Sequence, residues 1–94
     1  MSVVIATTLG RHEVESATRE ILGEGVSIYE SEGLSGNPET VVALVGLGAQ
    51  LIWSVRSIVT VLLTRDRSVR VTVDGVEIVV GNAADLERVL KSLS

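Results

Sequence analysis

The sequence predicts an α+β domain with the element order β-α-β-α-β-β-α. The expected architecture is a single four-stranded mixed sheet, with helices packed mainly on one face and a long central helix over residues 40–63. Three observations carry that expectation. Thr40 to Leu63, TVVALVGLGAQLIWSVRSIVTVLL, is the longest apolar run and holds the only Trp. Asp74-Gly75 stands between two β-branched runs, VRVTV and VEIVV, a strong short-range signal for a hairpin. Residues 11–22 and 83–93 repeat apolar side chains at three- and four-residue spacing, the period of a half-buried helix.

Val3, Val4, Ile5 and Ala6 open the chain as a β-branched run, apolar on both faces, and read as a buried strand. Gly10 ends it. In HEVESATREIL, Val14, Ala17 and Ile21, with Thr18 and Leu22, share one face, while Glu13, Glu15, Arg19 and Glu20 share the other. The early acids suit a helix N-terminus, and Gly23 and Gly25 stop the helix. Val26–Glu30 reads as a second strand, with Val26 and Ile28 on one face and Ser27 and Tyr29 on the other. Ser31–Glu39, SEGLSGNPE, reads as the most mobile loop. Asn37 is placed to cap the long helix and Pro38 to occupy its first turn.

From Val41 to Leu63 the chain runs 23 residues, about 34 Å as a helix and long enough to cross a bilayer. Its angular pattern favours a core helix. At 100° per residue, Leu44, Leu47, Gly48, Leu51, Ile52, Val55, Ile58, Val59 and Leu62 fall in one sector. Gly46, Gln50, Trp53, Ser54, Arg56, Ser57, Thr60 and Thr64 fall in the other. Such a separation fits a helix laid across a sheet, and Arg56 opposes burial in lipid. The polar side is thin, and Val61 lies within it. Exposed apolar area of this kind marks contact sites, so Gly46, Gln50, Trp53, Ser54, Ser57 and Val61 form the candidate interface. Pairing of two such helices, with Gly46 and Ser57 allowing close approach, makes a homo-oligomer the expected assembly.

In the hairpin, a two-residue type I′ turn at Asp74-Gly75 sets Val73 opposite Val76, Val71 opposite Ile78 and Val69 opposite Val80. Those six side chains make one apolar face, and Arg70, Thr72, Glu77 and Val79 make the other. Asn82 then caps a last helix, with Asp85 at its third position and Leu86, Val89, Leu90 and Leu93 as its stripe.

Composition narrows the function classes. The net charge is −4, with seven acids and two bases in residues 1–40 and five acids and six bases in residues 41–94. That balance argues against nucleic acid as a partner, which needs a concentrated basic surface. No Phe and a single Tyr and Trp leave few platforms for stacking bases or sugars. There is no Cys, hence no disulfide framework or thiolate chemistry. Met1–Gly10 lacks the long apolar segment of a secretory leader. The expected location is cytoplasmic, with association with the inner membrane as the alternative.

No catalytic, metal-binding or cofactor-binding set is read from the residues. His12 stands near Glu13 and Glu15, but one His with two acids is not a specific metal pattern, and a solvated histidine accounts for it. Glu30 and Glu32 would need a cleft to act as an acid pair. GLGAQ at 46–50 lacks the third glycine of a dinucleotide fingerprint, and helix packing is the reading given to its glycines. Arg65, Arg67 and Arg70 are candidate anion contacts, interrupted by Asp66.

Taken together, the Val41–Leu63 run, Arg65 and Arg67, the hairpin VRVTVDGVEIVV and the terminal NAADLERVLKSL resemble the effector-associated constant component one family. These are small proteins inferred to act in multi-component bacterial conflict systems. The resemblance implies a noncatalytic component that couples recognition to a separate effector protein, and it carries over no catalytic residues. The leading expectation is therefore a self-associating interaction or adaptor component. A membrane-associated regulatory subunit anchored through helix 40–63 stands second, and a small enzyme or anion-binding domain third.

Overall fold

Residues 38–45 form a strand rather than the first turns of a helix, and this changes the sheet. The computed structural model describes residues 1–21, 25–32, 36 and 38–93. Among them run β1 (Ser2–Thr7), α1 (Arg11–Thr18), β2 (Val26–Glu32), β3 (Pro38–Val45), α2 (Gly48–Leu63), β4 (Val69–Val73), β5 (Val76–Val80) and α3 (Ala83–Leu93). The sheet has five strands in the order β2-β3-β1-β4-β5, and every neighbouring pair is antiparallel. The fold is α+β, but the expected four-stranded mixed sheet and the helix over residues 40–63 are both overturned.

The physical reason lies in β3. Thr40, Val42 and Leu44 point to the helices and are buried, while Val41 and Ala43 point to the opposite face and are buried and half-buried. A strand apolar on both faces loses the period-two signal and reads as a continuous apolar run. Four of its residues, Thr40, Val41, Val42 and Val45, are β-branched, which suits a pleated surface. β3 also serves β1 on one side and β2 on the other. Without it, β2 has no partner in the sheet.

The strand ends where two glycines flank Leu47. Gly46 N–H donates to the Met1 carbonyl at 3.1 Å, and Gly48 takes φ +62°, a conformation costly for side-chain-bearing residues. The G-L-G stretch expected inside a helix is therefore the turn from β3 into α2. Pro38 opens β3 instead of a helix, and β2 runs on to Glu32. Leu22, Gly23, Asn37 and residues 33–35 lie outside the described residues.

What remains of the long helix is α2, 16 residues and about 24 Å long, short of the roughly 30 Å of a hydrocarbon core. Among the described residues no helix is long and apolar enough to cross a membrane. Anchoring through a helix over 40–63 falls with that helix. α2 instead lies across β1, β3 and β4 and buries Leu51, Val55, Ile58, Val59 and Leu62. Val14 from α1 and Leu86, Val89, Leu90 and Leu93 from α3 enter the same core, against Val3, Ile5, Val42, Leu44, Val69, Val71 and Val80. One face of the sheet thus carries all three helices.

The hairpin has the register expected from its turn. Val73 faces Val76, Val71 faces Ile78 and Val69 faces Val80, with Asp74 at φ 51° and Gly75 at φ 80° as a type I′ turn requires. Asn82 caps α3: its Oδ1 accepts from Asp85 N–H at 2.9 Å, and Asp85 Oδ2 accepts from Gly81 N–H at 3.1 Å.

Candidate functional site

The outer side of α2 is where the chain leaves its largest side chain unused. Trp53 is 57% exposed, and Leu47, at the entry to the helix, is 80% exposed. Between them Ala49 and Gln50 are also exposed. Beneath this ridge lies a shallow cleft of about 230 Å³, lined by Val26 of β2, Leu44 and Val45 of β3, Gly46 and Leu47 of the turn, and Gln50, Leu51 and Ser54 of α2. It lies where the G-L-G turn carries the chain from the end of β3 into α2.

Of the six candidate interface residues, Gly46, Gln50 and Ser54 line this cleft, and Trp53 is exposed on the same helix without being part of the lining. Ser57 and Val61 are half-buried farther along α2, so the expected stripe is shorter than the helix. On α2's other flank, Arg56 donates to Glu87 of α3 at 2.7 Å. The helical pattern sets Leu47 on the sheet-facing side, but the structure holds it at the surface. The signal that could have found it is its position between two glycines.

The uncovered face of the sheet is a second surface. One row across it runs Tyr29, Val41, Ala6, Arg70, Val79, and the next runs Ser27, Ala43, Val4, Thr72, Glu77. Arg70 is ion-paired with Glu39 and lies 3.9 Å from Glu77. It is therefore engaged within the sheet, while Arg65 reaches Glu13 at 3.5 Å and Arg67 is exposed in the turn after α2. The three candidate anion contacts do not converge on one site.

The remaining polar residues are dispersed. His12 is exposed in the first turn of α1, and Glu15 beside it pairs with Arg11 at 2.8 Å. Glu30 and Glu32 are exposed along β2. Among the described residues no group of three His, Cys, Asp or Glu side chains is placed to hold a metal ion.

Asp66 has four hydrogen-bond donors around its carboxylate. Its Oδ2 accepts from Thr7 Oγ1 at 2.7 Å, Thr8 Oγ1 at 3.1 Å and Thr8 N–H at 3.2 Å, and its Oδ1 accepts from Arg67 N–H at 2.8 Å. Partial burial pushes its pKa up, but these hydrogen bonds together outweigh that and hold it below the ordinary 3.8. The arrangement pins the turn after α2 to the end of β1. Asp66→Ala is expected to cost about 1–2 kcal/mol, toward the low end for bonds to a charged acceptor because solvent reaches the group. Because the folded value is depressed, Asp66's contribution is present above 3.8 and is lost as pH falls through the folded value. Urea titrations across the acid range should show that portion of the pH dependence missing in Asp66→Ala.

Comparison with models of known protein families, with curated proteins and with solved structures finds no match.

Proposed function

We propose that this chain is a noncatalytic interaction module whose contact surface for another protein is the Leu47–Trp53 end of α2. The observation that carries this reading is the exposure of Leu47, which lines an open cleft, and of Trp53, three residues on from Gln50 of the same lining. Among the described residues the hydrophobic core cluster is built of Val, Ile and Leu, so the indole is spare. Trp is a preferred anchor at protein contacts because it buries a large area and ends in a hydrogen-bond donor. The resemblance to the effector-associated constant component one family supports a separate effector protein as the occupant and a bacterial conflict or signalling system as the setting.

Trp53→Glu tests this. Trp53 is exposed, so the variant should stay folded, with its unfolding free energy within about 0.5 kcal/mol of the parent. In lysate of the producing cell, the parent chain should elute in an assembly larger than the purified protein, and the variant should not. Identical elution of the two would sink the proposal.

A further inference from the structure

We infer that the free edge of β5 is a contact for a second copy of this chain. Two β5 strands pair antiparallel about a two-fold axis through Ile78, doubling the five-stranded sheet. The inference is independent of the Trp53 surface, because α2 lies over β1, β3 and β4, whereas the helix packed on β5 is α3.

Backbone geometry comes first. In the turn at Asp74-Gly75, the Val73 carbonyl accepts from Val76 N–H. The alternation of an antiparallel ladder then makes Val71–Ile78 and Val69–Val80 the next hydrogen-bonded pairs. The N–H and C=O groups of Glu77 and Val79 therefore point away from β4, into the open edge. Such groups are a template for another strand.

Charge and hydrogen bonding then select the register. A two-fold through Glu77 sets that carboxylate against itself, which is unfavourable. A two-fold through Val79 needs Gly81 N–H, which already donates to Asp85 Oδ2 at 3.1 Å. Shifts beyond these leave little overlap. Through Ile78, Glu77 of each copy faces Val79 of the other, and these residues exchange four backbone hydrogen bonds. On the helix side, half-buried Ile78 meets Ile78 of the second copy, and Val76, 61% exposed, comes beside the end of β5 where Val80 is already covered within its own chain. On the open side, Val79, 58% exposed, sits between its own Arg70 and Glu77 of the second copy. That places cation and carboxylate in one row, two strands or about 9.6 Å apart.

The opposite edge is guarded by contrast. β2 carries Glu30 and Glu32 with no cation on the strand, whereas the sole charge on β5, Glu77, has Arg70 nearby. Edge carboxylates without a partner discourage strand pairing.

The chain has no Cys, which makes a single-cysteine scan decisive. In the Ile78 register, opposed residues of a non-hydrogen-bonded pair have Cα atoms about 4.5 Å apart, within disulfide range. Ile78→Cys should oxidise to a covalent dimer at least about tenfold faster than Glu77→Cys or Val79→Cys, neither of which faces itself. By sedimentation the wild-type chain should have twice its 9.9 kDa mass. Val79→Glu, which opposes two carboxylates, should sediment as a folded monomer, and Glu77→Lys with Val79→Glu should restore the dimer. A monomeric wild-type chain, or cross-linking at position 77 or 79 as fast as at 78, would overturn the inference.

Discussion

Ile58→Ala is expected to lower the unfolding free energy by about 4 kcal/mol, in the upper part of the range for removing a large aliphatic side chain from a packed core. Ile58 is fully buried near the middle of α2, within the cluster that joins all three helices to the sheet. The substitution loses the transfer free energy of its methyl and methylene groups and leaves a cavity that β-branched neighbours fill poorly. A domain of this size has about 5–14 kcal/mol to lose, so the variant should be only marginally folded. Thr60→Ala, two residues on and exposed, should change stability by less than about 0.5 kcal/mol. Denaturant titration reads both, with a lowered midpoint and an unchanged slope for Ile58→Ala. A loss below about 1 kcal/mol would mean that α2 is not packed as described.

Among the described glycines, Gly25→Ala should be the most damaging substitution, costing at least about 2 kcal/mol from left-handed strain and a backbone collision together. Gly25 precedes β2 with φ +81°, and an added Cβ would lie 2.6 Å from the Val45 carbonyl oxygen. That oxygen cannot retreat freely, because Val45 N–H also donates to the Gly25 carbonyl at 2.9 Å. Relief of the clash would loosen the pairing of β2 with β3. Gly48 is the control: its φ is +62°, but nothing stands within 4 Å of an added Cβ. Gly48→Ala should cost about 1 kcal/mol from conformation alone. Equal losses at the two sites would show that the β2–β3 contact is not tight at Gly25.

These contrasts show what could be read from sequence and what could not. The hairpin was legible residue by residue, because a two-residue turn with two positive φ values admits one register. The cap at Asn82 was legible for a similar reason: a local hydrogen bond decides it. β3 was not, because Thr40–Val45 is apolar on both faces, and a helical wheel accepts such a run as readily as a sheet does. Its misassignment hid the fifth strand and carried Leu47 to the wrong face. The glycines around Leu47 were the overlooked clue, since Gly48 in the left-handed region stops the strand and starts α2.

The exposure of the candidate interface residues was partly legible. Trp53 and Gln50 stood out because they lie on the thin polar side of an oily helix, and both are exposed on the shorter α2. Ser57 and Val61 share the same stripe by helical spacing, yet the structure leaves both half-buried. The cleft beneath Ser54 could not be foreseen, because it depends on where β3 stops and α2 begins.

Placing a photo-crosslinking amino acid at position 53, in the cell that makes this chain, tests the central claim most directly. The claim is that the exposed end of α2 receives another protein. It predicts one discrete protein adduct at position 53, absent when the same group replaces the exposed Glu20 and lost when Leu47→Glu is added. A lipid adduct at position 53, or no adduct at all, would contradict it.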